Sequence, residues 1–137
     1  MNQENSIAKQ MLEALAEVNR SLRDHSVALR RSPDVTKAQT SPLEAVFFAN
    51  GPGLEGHVEA VLANGDVVCW WLYLRWNQDS WLLEATVERK SPDGQETEKE
   101  LPTETVSDFD GFLKALKRVV PELLALTIPE VGTASRR

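Results

Sequence analysis

Apolar side chains recur every three or four residues near the amino terminus and would line one stripe of a helix. The stripe consists of Ile7, Met11, Leu15, Val18, Leu22, His25 and Leu29. Ser32 and Pro33 should end this helix, since proline disfavours helical geometry at the residue before it. The pattern predicts a long helix over residues 1–31 and then a loop over residues 32–42, where Ser, Thr, Asp, Lys and two prolines are concentrated.

From Leu43 the pattern changes to short strand-like runs separated by turn signals. Strands are predicted over residues 43–49, 54–63, 66–76, 81–90 and 95–101, with turns at 50–53, 77–80 and 91–94. Asn64-Gly65 is the most specific of the turn signals, because this dipeptide favours a two-residue hairpin. The pattern therefore predicts a five-stranded antiparallel β-meander over residues 43–102.

A second amphipathic helix is predicted over residues 107–127. Its apolar face consists of Phe109, Phe112, Leu113, Leu116, Val120, Leu123 and Leu124. Ser107 should cap it, with Asp110 three residues on, and Pro121 should kink or restart it. Residues 128–137 are expected to form a frayed tail. The predicted fold is a single α+β domain over residues 1–137, in which a helix flanks each end of the sheet.

The hairpin turns also predict which side chains share a face of the sheet. A two-residue turn at Asn64-Gly65 would place Glu59 opposite Trp70 and His57 opposite Leu72, so that Glu55, His57 and Glu59 share the face of Trp70, Trp76 and Trp81. A turn centred on Gln78-Asp79 would place Leu74 opposite Leu83. The third strand is apolar on both sides, so each face needs a cover. One helix per face, or both helices on one face with the other left for a partner, would satisfy the pattern.

The net charge of −6 hides an uneven distribution. Residues 44–110 contain fourteen acidic and four basic residues, a balance of −10, whereas residues 1–43 carry +1 and residues 111–137 carry +3. Such a field repels nucleic-acid phosphates and attracts a basic protein partner. The polar amino terminus does not resemble a secretory signal, the longest apolar run is too short to span a bilayer, and the single Cys69 fits a reducing compartment. We therefore expect a cytoplasmic protein that binds neither nucleic acid nor membrane.

Candidate site residues fall into three groups. His57 lies between Glu55 and Glu59 on one strand, but side chains two residues apart on a flat strand diverge, which favours an interface margin over a catalytic or metal site. Trp76 and Trp81 flank a turn and should be partly exposed, while Trp70 is expected to be core. The glutamates that alternate along the fifth strand are Glu96, Glu98 and Glu100. They either protect a sheet edge or dock a basic partner.

No motif for a phosphate loop, a zinc site, a nucleophile elbow or a calcium loop occurs in the sequence. Cys69 lies inside an apolar run and is expected to be an inert core thiol, and His25 a packing residue. The prediction is a non-enzymatic binding protein with no cofactor and no metal.

The segments GHVEAVLANGDVVCWW and WLLEATVERKSPDGQE, closed by a leucine-rich helix, resemble the small acidic immunity proteins of bacterial polymorphic toxin systems. The resemblance spans residues 54–124, about half the chain, and transfers no functional residue. It implies a stoichiometric inhibitor whose acidic face occludes a basic toxin, often a nuclease.

Two other functions fit the same pattern. An adaptor or secretion-chaperone-like homodimer would pair its long first helix, or a sheet face, with a second copy. A small-molecule binder would use the face of Trp70 and His57, and would need a concave pocket there.

Overall fold

The computed structural model describes residues 3–49 and 51–130, with side chains from residue 6 onward. The elements are α1 (Gln3–Arg30), β1 (Val35–Phe48), β2 (Gly51–Leu62), β3 (Val67–Asn77), β4 (Ser80–Lys90), β5 (Glu96–Glu100), β6 (Glu104–Val106) and α2 (Phe109–Ala125). The strands form one antiparallel sheet in the order β1-β2-β3-β4-β5, and β6 pairs with the other half of β4. The predicted α+β class, with a helix before and after an antiparallel sheet, is confirmed.

Both helices pack on the same face of the sheet. The ring of His25 in α1 meets Trp70 edge-on at 4.7 Å between centroids, and Phe112 in α2 lies 5.1 Å from the ring of Trp81. Trp70 and Trp81 project from one face, because Trp76, six residues after Trp70 on β3, pairs directly with Trp81. We call this helix-covered side the inner face and the opposite side the outer face.

The core lies between the inner face and the two helices. Leu22 of α1, Trp70 and Leu72 of β3, and Phe112 and Leu123 of α2 are at most 2% exposed. Burying large side chains of this kind contributes about 1.5–3 kcal/mol each. The two-layer arrangement therefore stabilises α1 and α2, and within residues 3–49 and 51–130 no helix covers the outer face.

The predicted register between β2 and β3 is wrong by one residue. Leu54 pairs with Leu74 and Val58 with Trp70, because the loop has three residues rather than two. The Leu62 amide donates to the Asp66 carbonyl at 2.8 Å, and Gly65 alone in this loop takes a positive φ, of 92°. This is the type I turn with a glycine bulge that commonly closes a three-residue hairpin.

The predicted register between β3 and β4 is confirmed. Leu74 pairs with Leu83, and Asn77 pairs with Ser80 across the two-residue turn. Gln78 in this turn has a φ of 62°, which is uncommon for a residue other than glycine.

The first strand begins much earlier than predicted, so the prediction of a loop over residues 32–42 is wrong from Val35 onward. α1 covers this edge: Arg30 Nε donates to the Ala38 carbonyl at 2.9 Å, and the Leu43 amide donates to Asn19 Oδ1 at 2.8 Å. Pro42 lies in a bulge between Ser41 and Glu44, where its missing N–H leaves no ladder bond unmade. The turn predicted at 50–53 is also wrong over residues 51–53, which begin β2, while Asn50 is outside the described residues.

The carboxyl-terminal third differs from the prediction in four respects. β6 was not predicted, and the cap of α2 is Asp108 rather than Ser107, since the Gly111 amide donates to Asp108 Oδ1 at 2.6 Å. α2 continues through Pro121 to Ala125. Residues 128–130 are not frayed, because Pro129 is fully buried and its carbonyl accepts from Arg89 Nη1 at 3.0 Å. The rest of the predicted tail, residues 131–137, lies outside the described residues.

Candidate functional site

The outer face presents aromatic side chains along its central strand and acidic side chains on the strands beside it. Side chains alternate between the faces of a strand, so the register defines which ones share the outer face. β3 contributes Cys69, Trp71, Tyr73 and Arg75; β2 contributes Glu55, His57 and Glu59; and β4 contributes Glu84, Thr86 and Glu88. Glu44 on β1 and Glu96, Glu98 and Glu100 on β5 extend the acidic flanks.

Four rings form a continuous row on this face. His57 and Trp71 are 4.3 Å apart between ring centroids, Trp71 and Tyr73 are 5.7 Å apart with planes only 6° from parallel, and Tyr73 and Phe48 are 6.0 Å apart. We call this set the aromatic row. All four residues are half-buried, so the row is in partial contact with solvent.

Two acidic residues fix the orientation of the row. Trp71 donates its indole N–H to Glu88 Oε1 at 2.9 Å. At the other end, Arg75 holds its guanidinium 4.4 Å from the centroid of the Phe48 ring, and its Nε lies 2.6 Å from Glu84 Oε1, although the two are not aligned for a linear hydrogen bond. The rings are therefore held in place before any partner arrives.

Negative charge dominates the outer face. On the described part of this face, the eight glutamates named above are accompanied by three lysine or arginine side chains, those of Lys37, Arg75 and Lys90. Two of these three are already in ion pairs, Arg75 with Glu84 and Lys90 with Glu96. The excess of negative charge affects two titratable groups on this face. Partial burial, together with the charges of Glu55 and Glu88, raises the pKa of Tyr73 to about 12. Burial, with Glu59 and Glu88, likewise raises the pKa of the Cys69 thiol to about 12. Both groups stay neutral at physiological pH, and the face suits a cation.

The structure brings six of the eight candidate residues to the outer face. Glu55, His57 and Glu59 lie there on β2, and Glu96, Glu98 and Glu100 lie there on β5. Because of the register correction, the first three accompany Trp71 and not Trp70. Trp71 and Tyr73, which no sequence argument singled out as binding residues, occupy the centre. The alternation of side chains along β3 places Trp71 and Tyr73 on one face. Only the three-residue loop between β2 and β3, however, brings Glu55, His57 and Glu59 to that same face.

Trp76 and Trp81 lie on the inner face, where their rings meet edge to face at 5.2 Å. They line an open apolar groove of about 520 Å³ together with Met11, Leu15, Pro52, Gly53, Leu54 and Phe112. Both are partly exposed, as their position beside the turn predicted. A small-molecule site shared by Trp70 and His57 is ruled out, because Trp70 is 2% exposed in the core and His57 projects from the opposite face.

Cys69 and His25, which the sequence analysis expected to be packing residues, both contact neighbouring side chains. Cys69 is buried, with its thiol 3.9 Å from Glu59 Oε2. His25 packs against Trp70, and burial lowers its pKa. Within residues 3–49 and 51–130 no three His, Cys, Asp or Glu side chains are grouped as metal ligands.

Comparison with protein-family models, with curated proteins and with solved structures gave no match. In the described part of the chain, neither helix has the length and apolar character needed to cross a bilayer.

Proposed function

We propose that this chain is a non-enzymatic protein-binding domain that captures a basic partner on its outer face, and that it acts as a stoichiometric inhibitor of the immunity type. One observation supports the proposal above the others: both helices of the described residues lie on the inner face, so neither covers the acidic, aromatic outer face of the five-strand path.

The outer face has the dimensions of a protein interface. Five strands about 4.8 Å apart and a central strand of eleven residues rising about 3.3 Å each give a surface of roughly 700 Å². A specific complex buries about 800 Å² on each partner, so one partner could cover nearly the whole face. An acidic surface of this size would also accelerate encounter with a basic protein through long-range attraction.

The homodimer alternative receives less support. Val18 and Leu22, the middle of the stripe that would pair two copies of α1, are 4% and 0% exposed against the chain's own sheet. Ile7, at 41% exposed, is the stripe residue in the described part that remains outside the core. The inhibitor proposal implies action in a bacterial cytoplasm, in agreement with the resemblance to immunity proteins.

The test is affinity capture from native lysate with the wild-type chain and two variants of equal net charge. The outer-face variant carries Glu55→Lys, Glu98→Lys and Glu100→Lys, and the control carries Glu13→Lys, Asp24→Lys and Glu122→Lys on exposed positions of the helices. We expect a basic protein retained by the wild type and the control, lost with the outer-face variant, and bound at a 1:1 ratio in calorimetry. Equal capture by the outer-face variant at low salt would refute the proposal.

A further inference from the structure

The outer face already contains one bound guanidinium, that of Arg75. It lies 4.4 Å from the centroid of Phe48 and 5.8 Å from that of Tyr73, and it is paired with Glu84 at 2.6 Å. This combination of aromatic ring and carboxylate satisfies both the flat face and the charge of an arginine side chain. The chain itself therefore shows what chemistry the row accepts.

A similar combination of rings and carboxylates occurs at the centre of β3, where in the described part of the chain no cation lies over the Trp71 ring. Tyr73 has Glu55 directly opposite on β2, and Trp71 is bonded to Glu88 on β4. The rings of Trp71 and Tyr73 are nearly parallel, with their centroids 5.7 Å apart. Both cation–ring contacts in the described part of the chain are made by Arg75, and neither involves Trp71.

We propose that the basic partner places an arginine side chain on Trp71 and Tyr73, with its guanidinium held by Glu55 and Glu88. This inference rests on the proposed function and names the group that anchors the partner. Arginine fits better than lysine because its planar guanidinium stacks on a ring while donating to two carboxylates, whereas an ammonium is a compact and strongly hydrated charge. Trp71 is already fixed by Glu88, so its ordering costs little on binding, as is typical of an interface hot spot.

The test compares two capped peptides of equal charge, hexa-arginine and hexa-lysine, by calorimetry and by amide chemical shifts at physiological salt. We expect hexa-arginine to bind about three- to tenfold more tightly, as a stacked cation implies, with the largest shifts at Trp71 and Tyr73. Trp71→Leu should remove this preference, and Trp71→Tyr should keep part of it. Trp81→Phe on the inner face is the matched aromatic control and should leave the preference unchanged.

Glu55→Gln keeps the aromatic rings and should weaken the binding of both peptides. It should weaken hexa-arginine more than hexa-lysine, because the guanidinium loses one of its two carboxylates, so the ratio between the two affinities should fall but stay above one while Trp71 is present. Equal affinity for the two peptides, a preference that survives Trp71→Leu, or no binding of either peptide would overturn the arginine anchor. The proposed function would still be supported if capture of the partner from lysate continued to require the outer-face glutamates. Loss of that dependence would remove the proposed function itself.

Discussion

A buried ion pair connects three separate parts of the chain and offers a direct test of the packing. Asp66, in the loop between β2 and β3, has a side chain only 4% exposed, and Arg89 on β4 one that is 16% exposed. Arg89 Nε lies 2.7 Å from Asp66 Oδ2, and Arg89 Nη1 donates to the Pro129 carbonyl after α2 at 3.0 Å. The pair therefore fastens the hairpin loop and the segment after α2 to the same strand.

Asp66→Asn keeps the shape of the side chain and the backbone bonds of the loop but removes one charge. It would leave the Arg89 guanidinium buried without a counter-charge, and breaking such a pair costs about 3–5 kcal/mol. Arg89 retains some contact with water, so we expect a loss of about 3 kcal/mol. This is a large share of the roughly 5–15 kcal/mol that stabilises a domain. With a urea m-value of about 2 kcal/mol per M, the unfolding midpoint should fall by about 1.5 M.

Urea unfolding followed by tryptophan fluorescence measures this directly, because Trp70 is 2% exposed and reports on the core. Arg89→Met should be similarly destabilising, but the double variant should recover part of the loss, since it leaves no unpaired charge. A midpoint within about 0.3 M of wild type for Asp66→Asn, or a double variant no better than the sum of the singles, would refute the reasoning.

Three further predictions concern individual packed residues. Gly56→Ala should destabilise by about 1–3 kcal/mol in urea, because its Cβ would lie 3.1 Å from Leu43 Cδ2 and 3.2 Å from Leu22 Cδ1; an unchanged midpoint would mean that α1 can move away. Burial lowers the pKa of His25 in the folded state, so as the pH falls through about 6.5 the histidine is protonated in the unfolded state before it is protonated in the folded state. The free energy of unfolding should therefore decrease as the pH falls. His25→Gln should remove that component of the pH dependence between about pH 8 and 5.5, and identical profiles would argue against it. With a pKa of about 12, the Cys69 thiol should react slowly with a thiolate-specific reagent at about pH 8 and promptly in urea; equal rates would contradict its burial.

The order of the main elements could be predicted from the sequence because each one carries a local signal. The register of one hairpin could not. Asn64-Gly65 suits a two-residue turn with positive φ at both positions, or a three-residue loop with positive φ at the glycine alone, and the structure takes the second. This one-residue difference moved Glu55, His57 and Glu59 to the other face, and with them the candidate site.

The first half of β1 was also beyond local prediction. Residues 36–41 are mostly polar and read as a loop, yet they are ordered by their neighbours on both sides. Thr40 Oγ1 donates to the Leu22 carbonyl of α1, and Gln39 Nε2 donates to Glu59 of β2 at 3.1 Å. A strand that is held mainly by hydrogen bonds to other elements need not show an alternating apolar pattern in its sequence. Its position can therefore be identified only from the structure.

The position of the glutamates bears on the two explanations of the acidic sheet. Protection of an edge accounts for acids on β5, which ends the sheet. It does not account for Glu55 on β2 or Glu88 on β4, because both strands have a paired neighbour on each side. Glu55 lies directly opposite Glu44, and Glu88 directly opposite Glu98, and like charges in such positions cost stability. A sheet under selection for folding alone would place a base at one of each pair, so the arrangement favours recognition of a cation supplied from outside the chain.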